Sequence, residues 1–101
     1  MFVFAASNLQ RDIITDFDAG NDRFELLGLG FGVDAGTNLN AGTTFVANAA
    51  PVAVVGEATM LYETDTGRLY WDVDGTGAQA AVLIARLTGA PTVTAQDFIF
   101  V

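Results

Sequence analysis

The sequence contains no cysteine, no histidine and no lysine in its 101 residues. Without cysteine there is no disulfide, no thiol nucleophile and no thiolate metal site. Without histidine the usual proton shuttle near neutral pH is missing, as are most zinc and haem ligand sets. Any resident metal must then be held by oxygen, which means calcium, magnesium or manganese. Basic charge is scarce as well: four arginines stand against twelve acids, for a net charge of −8. Binding a phosphate backbone needs clustered Lys and Arg, so nucleic acid is excluded as a partner, and docking to an anionic membrane surface with it. Long apolar runs are absent too. The longest, 78–87, is broken by Gln79 and Arg86 and is too short to cross a bilayer, so no membrane anchoring is expected. Catalytic equipment is equally thin. Ser7 is the only serine and has no base to activate it. A carboxylate pair alone can serve a glycosidase, but a chain of this size builds no deep cleft around one. The chain is expected not to be an enzyme.

What is present points to a small β-domain. Hydrophobic residues make up 51% of the chain, too many for disorder, which needs low hydrophobicity together with high charge. One domain spanning 1–101 is the expectation. Short β-branched or aromatic runs alternate with Gly, Asp, Asn and Thr. They predict strands near 2–5, 13–17, 23–27, 43–46, 59–63, 69–73, 81–87 and 98–101. Thr94 is placed to cap a single helical turn over 94–97. The Gly-, Asn- and Ala-rich segment 28–50 reads as a long loop carrying one strand.

The best-defined element is the hairpin 59–74. Asp65-Thr66-Gly67 fits a three-residue loop with Gly67 in the left-handed position. That register pairs Tyr62 with Tyr70 and Leu61 with Trp71. It assigns Leu61, Leu69, Trp71 and Val73 to the core face, and Tyr62, Tyr70, Asp72 and Asp74 to a wetter one.

The acids are grouped. Asp12 and Asp16 lie four apart on a strand, on one side and about 13 Å apart when extended. The segment Asp16-Phe17-Asp18-Ala19-Gly20-Asn21-Asp22 then turns, with Gly20 free to take positive φ. Carboxylates at alternate positions of a turn can wrap a calcium ion, whose shell takes six to eight oxygens. The competing reading is an ordinary turn, with Arg11 and Arg23 pairing the acids. A second group, Asp72-Val73-Asp74-Gly75-Thr76-Gly77, begins like an EF-hand loop, but its glycine comes too early and no Glu closes it. It reads as a turn into the strand at 81–87 or as a cation site. Asp12, Asp16, Asp18, Asp22, Asp72 and Asp74 are thus the candidate metal ligands.

The stretch Arg11-Asp12-Ile13-Ile14-Thr15-Asp16-Phe17-Asp18-Ala19-Gly20-Asn21-Asp22-Arg23-Phe24-Glu25-Leu26 resembles the segment that follows the nonapeptide repeats of RTX, or haemolysin-type calcium-binding, proteins. Phe2-Val3-Phe4 is similar to the last roll strand before it. Leu61-Tyr62-Glu63-Thr64-Asp65-Thr66-Gly67-Arg68-Leu69-Tyr70-Trp71-Asp72-Val73-Asp74-Gly75-Thr76-Gly77 and the ending from Leu87-Thr88-Gly89 through Asp97-Phe98-Ile99-Phe100-Val101 resemble the rest of the post-repeat region. The resemblance implies an all-β fold: the short end of a parallel β-roll followed by an antiparallel β-sandwich-like cap. It implies calcium as cofactor, with Asp12, Asp16 and Asp22 as ligands and Asp18 beside them. It also implies a secreted protein that leaves by type I (ABC transporter) secretion through an uncleaved C-terminal signal. That fits an opening, Met1-Phe2-Val3-Phe4-Ala5-Ala6, without the basic start and apolar core of a cleavable signal. The partners implied are calcium ions, the export machinery and an upstream domain of a longer parent. The Gly-Gly-x-Gly-x-Asp repeats themselves are absent, with Asn8 and Gln10 where glycines would fall. The rival reading is an extracellular binding module, contacting a glycan or protein through an exposed Tyr62/Tyr70 pair or the 28–50 loop.

Overall fold

In the computed structural model the described residues are 2–4, 12–14, 24–26, 31–34, 36, 38–77 and 81–101, the first two stretches as backbone only. Eight strands form in chain order: β1 (Phe2–Phe4), β2 (Asp12–Ile14), β3 (Phe24–Leu26), β4 (Phe45–Asn48), β5 (Thr59–Glu63), β6 (Arg68–Asp72), β7 (Val82–Leu87) and β8 (Phe98–Phe100). Each falls on or within two residues of a predicted run. A 3-10 turn, Ala95–Asp97, leads into β8, and the Thr94 N–H donates to Asp97 Oδ2 at 2.8 Å. The expected cap is therefore in place.

The strands make two sheets. A three-stranded sheet has the order β1-β3-β8, and a five-stranded sheet has the order β2-β7-β6-β5-β4. Successive strands at the start of the chain alternate between them. β1 pairs parallel with β3, while β2 joins the other sheet parallel to β7. The final strand returns to the first sheet, parallel to β3, with Phe24 opposite Phe98 and Leu26 opposite Phe100. Only β5, β6 and β7 form an antiparallel meander, and β4 runs parallel to β5. The antiparallel character expected of the later part of the chain is thus confined to those three strands.

The two sheets meet across one aromatic core. In β3 and β8 the period-two alternation sends Phe24, Leu26, Phe98 and Phe100 inward and leaves Glu25 and Ile99 half-buried. Phe24 stacks on Phe98 at 4.9 Å between ring centroids. Across the interface Phe98 meets Phe45 of β4 at 5.5 Å, and Phe100 meets Trp71 of β6 at 5.5 Å. Such offset and tilted pairs add about 0.5–1.5 kcal/mol each beyond area burial. The 28–50 segment contributes as well: Phe31 packs edge-on against Trp71 at 5.6 Å, and the Trp71 indole N–H donates to the Phe31 carbonyl at 3.0 Å. Phe31 and Leu39 are both buried, so this loop is part of the core's wall.

The 59–74 hairpin departs from its expected register by one residue. Gly67 is left-handed as predicted, at φ 79°. However, its N–H donates back to the Glu63 carbonyl at 2.9 Å, an i→i+4 closure that makes the loop four residues long, 64–67. Tyr62 therefore faces Leu69, Leu61 faces Tyr70 and Met60 faces Trp71. Because side chains alternate, that slip exchanges faces. Met60, Tyr62, Leu69 and Trp71 line the core at 1% exposure or less, whereas Leu61 is buried on the opposite face and Val73 is exposed in the following turn. Tyr62 is consequently not a surface residue, and its hydroxyl donates to the Pro91 carbonyl at 2.5 Å. Burial raises its pKa. A further irregularity lies between β6 and β7, where the register shifts at Leu69/Tyr70. The extra residue lets the consecutive Ile84 and Ala85 both be buried.

Candidate functional site

Of the six candidate ligands, two have described side chains. Asp12 opens β2, where its backbone lies opposite Ala85 of β7. Its side chain and all of Asp16, Asp18 and Asp22 lie outside the described residues. Asp72 and Asp74 sit where β6 ends and the chain turns toward β7. Among the described residues no group of three or more His, Cys, Asp or Glu is placed to hold a metal. The acids that can act together here are therefore a pair.

The pair is set by the local sequence. Asp72 is the last residue of β6, opposite Thr59 of β5, and falls on the face away from the aromatic core. It is nonetheless only 7% exposed, and Thr59 beside it is fully buried. The next residues turn sharply, with Gly75 at φ 60°. A Cβ there would run into the carbonyl oxygens of Val55 and Glu57, so only glycine fits. The Thr76 N–H donates to the Val55 carbonyl at 2.9 Å, tying the turn to the 55–57 segment. The Asp74 carboxylate folds back over Gly77, where a Cβ would collide with it.

This folding-back puts two carboxyl groups in contact. The Asp74 carboxyl neighbours that of Asp72, and the Gly75 N–H donates to the Asp72 backbone carbonyl at 3.4 Å. The Asp72 Oδ1 is buried and has no hydrogen-bond partner. Burial pushes the Asp72 pKa up, and the neighbouring carboxyl pushes it further, against the two backbone donors that favour the charged form. A carboxyl–carboxyl contact persists only with something positive between the oxygens, a proton or a cation. Arg68 and Arg86 lie away from this turn. They face each other at the far end of β6, and Arg68 engages Glu63 at 3.7 Å. Four residues of strand, about 13 Å, separate Arg68 from Asp72.

The exposed Tyr62/Tyr70 pair expected on the sheet surface is not formed. Tyr62 points into the core and Tyr70 lies half-buried on the other face. The 28–50 loop does border a groove. About 490 Å³ in volume, it runs along β8 between residues 36–40 and 95–100. The amides of Asn38, Asn40 and Gln96 line it beside Leu39 and Ile99, with no acid or base among its described lining residues. Among the described residues no helix is long and apolar enough to cross a membrane.

Compared with protein-family models, with curated proteins and with solved structures, the chain matches none.

Sequence reasoning found the 72–77 turn but put Asp72 on a wet face. No local signal marks its burial, which comes from the chain segments gathered around the end of β6. Phe31 and Leu39 were not singled out in the sequence; the alternating apolar positions Leu29, Phe31 and Val33 are the signal that could have found the first.

Proposed function

We propose that this chain is the non-catalytic, calcium-associated C-terminal cap and type I secretion module of a secreted RTX-like protein. The observation that carries this reading is the winding of the first three strands. β1 and β3 pair parallel in one sheet while β2, between them in sequence, joins the other. A chain that alternates between two sheets, pairing parallel in each, is winding as the last coil of a β-roll would. The meander β5-β6-β7 and the returning β8 then close the end of such a roll, which supports the description of a roll end followed by a sandwich-like cap. The ending Asp97-Phe98-Ile99-Phe100-Val101, a core strand in the fold, would be read by the exporter before folding. Calcium couples the two states: low inside a cell, it leaves the acidic chain loose enough to thread a transporter, and outside it drives folding. The upstream domain of the parent would carry the activity.

The test is an export assay with a passenger fused upstream of the chain and a type I transporter supplied. Export is expected with the intact chain and lost when 97–101 are deleted. Undiminished export of the truncated fusion would contradict the reading.

The groove beside β8 favours one second reading, an extracellular glycan-binding module. Side-chain amides next to apolar surface suit sugar hydroxyls and ring faces. With Tyr62 buried, only the 28–50 side of the molecule supports it. A glycan array with Asn38→Ala and Asn40→Ala as controls distinguishes it from the first.

A further inference from the structure

The groove along β8 brings a strand edge and a set of side-chain amides to one place. Among the described strands β8 is the outer one of its sheet, with β3 on one side only. Two backbone bonds fix how it is turned. The Val101 N–H donates to the Leu26 carbonyl of β3 at 2.9 Å, while the Phe100 carbonyl points the other way and accepts from the Gly36 N–H at 2.8 Å. Backbone groups alternate sides along a strand, so the Phe98 carbonyl points to the same outer side as that of Phe100. The Phe98 N–H is taken by the Ala95 carbonyl, which leaves this position as an acceptor. Gly36 already shows that the edge takes up backbone. In the same groove stand Asn38 and Asn40, exposed on either side of the buried Leu39, together with the exposed Gln96. The Asn40 backbone is engaged with Thr44 and Phe45, so its side-chain amide is the part left for the groove.

We propose that this groove binds an extended peptide with an apolar centre and basic flanks, adding it as a strand beside β8. A primary amide carries the same donor and acceptor as a peptide group, so three of them beside a strand edge suit an extended backbone. Leu39 and Ile99 receive the peptide's alternate apolar side chains. A sugar is served less well. The rings of Phe98 and Phe100 are turned into the core, at 4% and 2% exposure, so the described lining holds no open aromatic face. Charge decides the flanks. The described lining is uncharged, but the chain carries −8 overall and Asp97 follows the lining Gln96. That field draws in a peptide bearing Lys or Arg and repels an acidic one. Such binding depends on neither calcium ligation nor export, and it competes with the glycan reading for the same groove.

The experiment titrates the full chain, in buffer containing calcium chloride, with a synthetic peptide and follows it by two-dimensional NMR. The probe is a capped peptide of alternating Val and Thr with Lys pairs at both ends. In the wild type, resonances of 36–40 and 95–100 are expected to shift saturably. The same peptide N-methylated through its Val-Thr stretch should bind about tenfold more weakly or worse, since it has lost its backbone donors. Equal binding would overturn strand addition. Replacing the probe's Lys by Glu should also weaken binding, with a gap that closes in high salt. An acidic peptide that binds as well would overturn the choice of basic flanks. Asn38→Ala combined with Asn40→Ala, both exposed, should weaken the response severalfold while the spectrum stays dispersed, and Gln96→Ala stands in should the pair unfold. A response unchanged in all of these variants would overturn the site. So would unmoved groove resonances at millimolar peptide, or shifts confined to 51–54. A maltooligosaccharide that moves 36–40 where the peptide does not would overturn it in favour of the glycan reading. Saturable peptide shifts in a chain that fails the export assay would uphold the groove and count against the secretion reading alone.

Discussion

Strand β6 has a turn at each end, and the two are built from the same residue types to opposite effect. Before it, Thr64-Asp65-Thr66-Gly67 closes on itself. The Thr66 hydroxyl donates to Glu63 Oε1 at 2.5 Å, the Gly67 N–H to the Glu63 carbonyl at 2.9 Å, and Arg86 Nε reaches the Thr66 carbonyl at 3.4 Å. Its acid, Asp65, is exposed. After it, Asp72-Val73-Asp74-Gly75-Thr76-Gly77 buries an acid with one oxygen unpartnered. Asp, Thr and Gly are turn formers in both places. What separates the turns is what surrounds them: two arginines at the first, a second carboxyl at the second.

The glycines should show the largest effect, and the same one at both ends. Gly67 and Gly75 are both left-handed, and an added Cβ would strike the Leu87 carbonyl in one case and the Val55 and Glu57 carbonyls in the other. Gly67→Ala and Gly75→Ala should each lose about 3 kcal/mol or more in urea unfolding. A mild loss at Gly75 alone would mean that its turn is not held by backbone contact.

The acids should then divide the turns. In chelator, Asp72→Asn is expected to gain about 1 kcal/mol, because an amide can donate to Asp74 where a carboxylate cannot. Asp65→Asn, on an exposed residue, should stay within about 0.5 kcal/mol of the wild type. Equal effects would erase the contrast.

The pH dependence sharpens it further. Asp72 has a folded pKa above the ordinary aspartate value, chiefly through burial. It binds its proton more tightly when folded, so its contribution is whole below that value and is lost as pH rises through the raised one. In chelator the advantage of Asp72→Asn over the wild type should therefore widen from about pH 4 to about pH 7. A constant gap across that range would contradict the buried acid pair.

The smallest change belongs to the first turn. Arg68 is half-exposed and sits 3.7 Å from Glu63. Arg68→Gln should cost about 0.5 kcal/mol or less, an effect that fades in high salt.

The two turns also show how far the sequence could be read. Strand positions followed from alternation and turn residues, and all eight appear. Gly67 was legible because its conformation is a local property. The hairpin register was not, since three- and four-residue loops share the same Asp-Thr-Gly signature, and one added residue moved Tyr62 from surface to core. Parallel pairing left no local trace either: nothing within Phe24-Glu25-Leu26 names β1 and β8 as neighbours. The candidate site was half legible. Asp72 and Asp74 could be picked out as a turn with two acids, but the burial of Asp72 depends on residues distant in sequence, such as Thr59 opposite it on β5. Asp12, Asp16, Asp18 and Asp22 came from spacing and resemblance, and their carboxylates lie outside the described residues.

Thermal unfolding in calcium and in chelator tests the central claim most directly. If calcium binds the folded state alone, a hundredfold excess over its Kd adds about 2.7 kcal/mol. For a domain of this size that raises Tm by about 10 °C or more. Superimposable melting curves in millimolar calcium and in chelator would contradict the account.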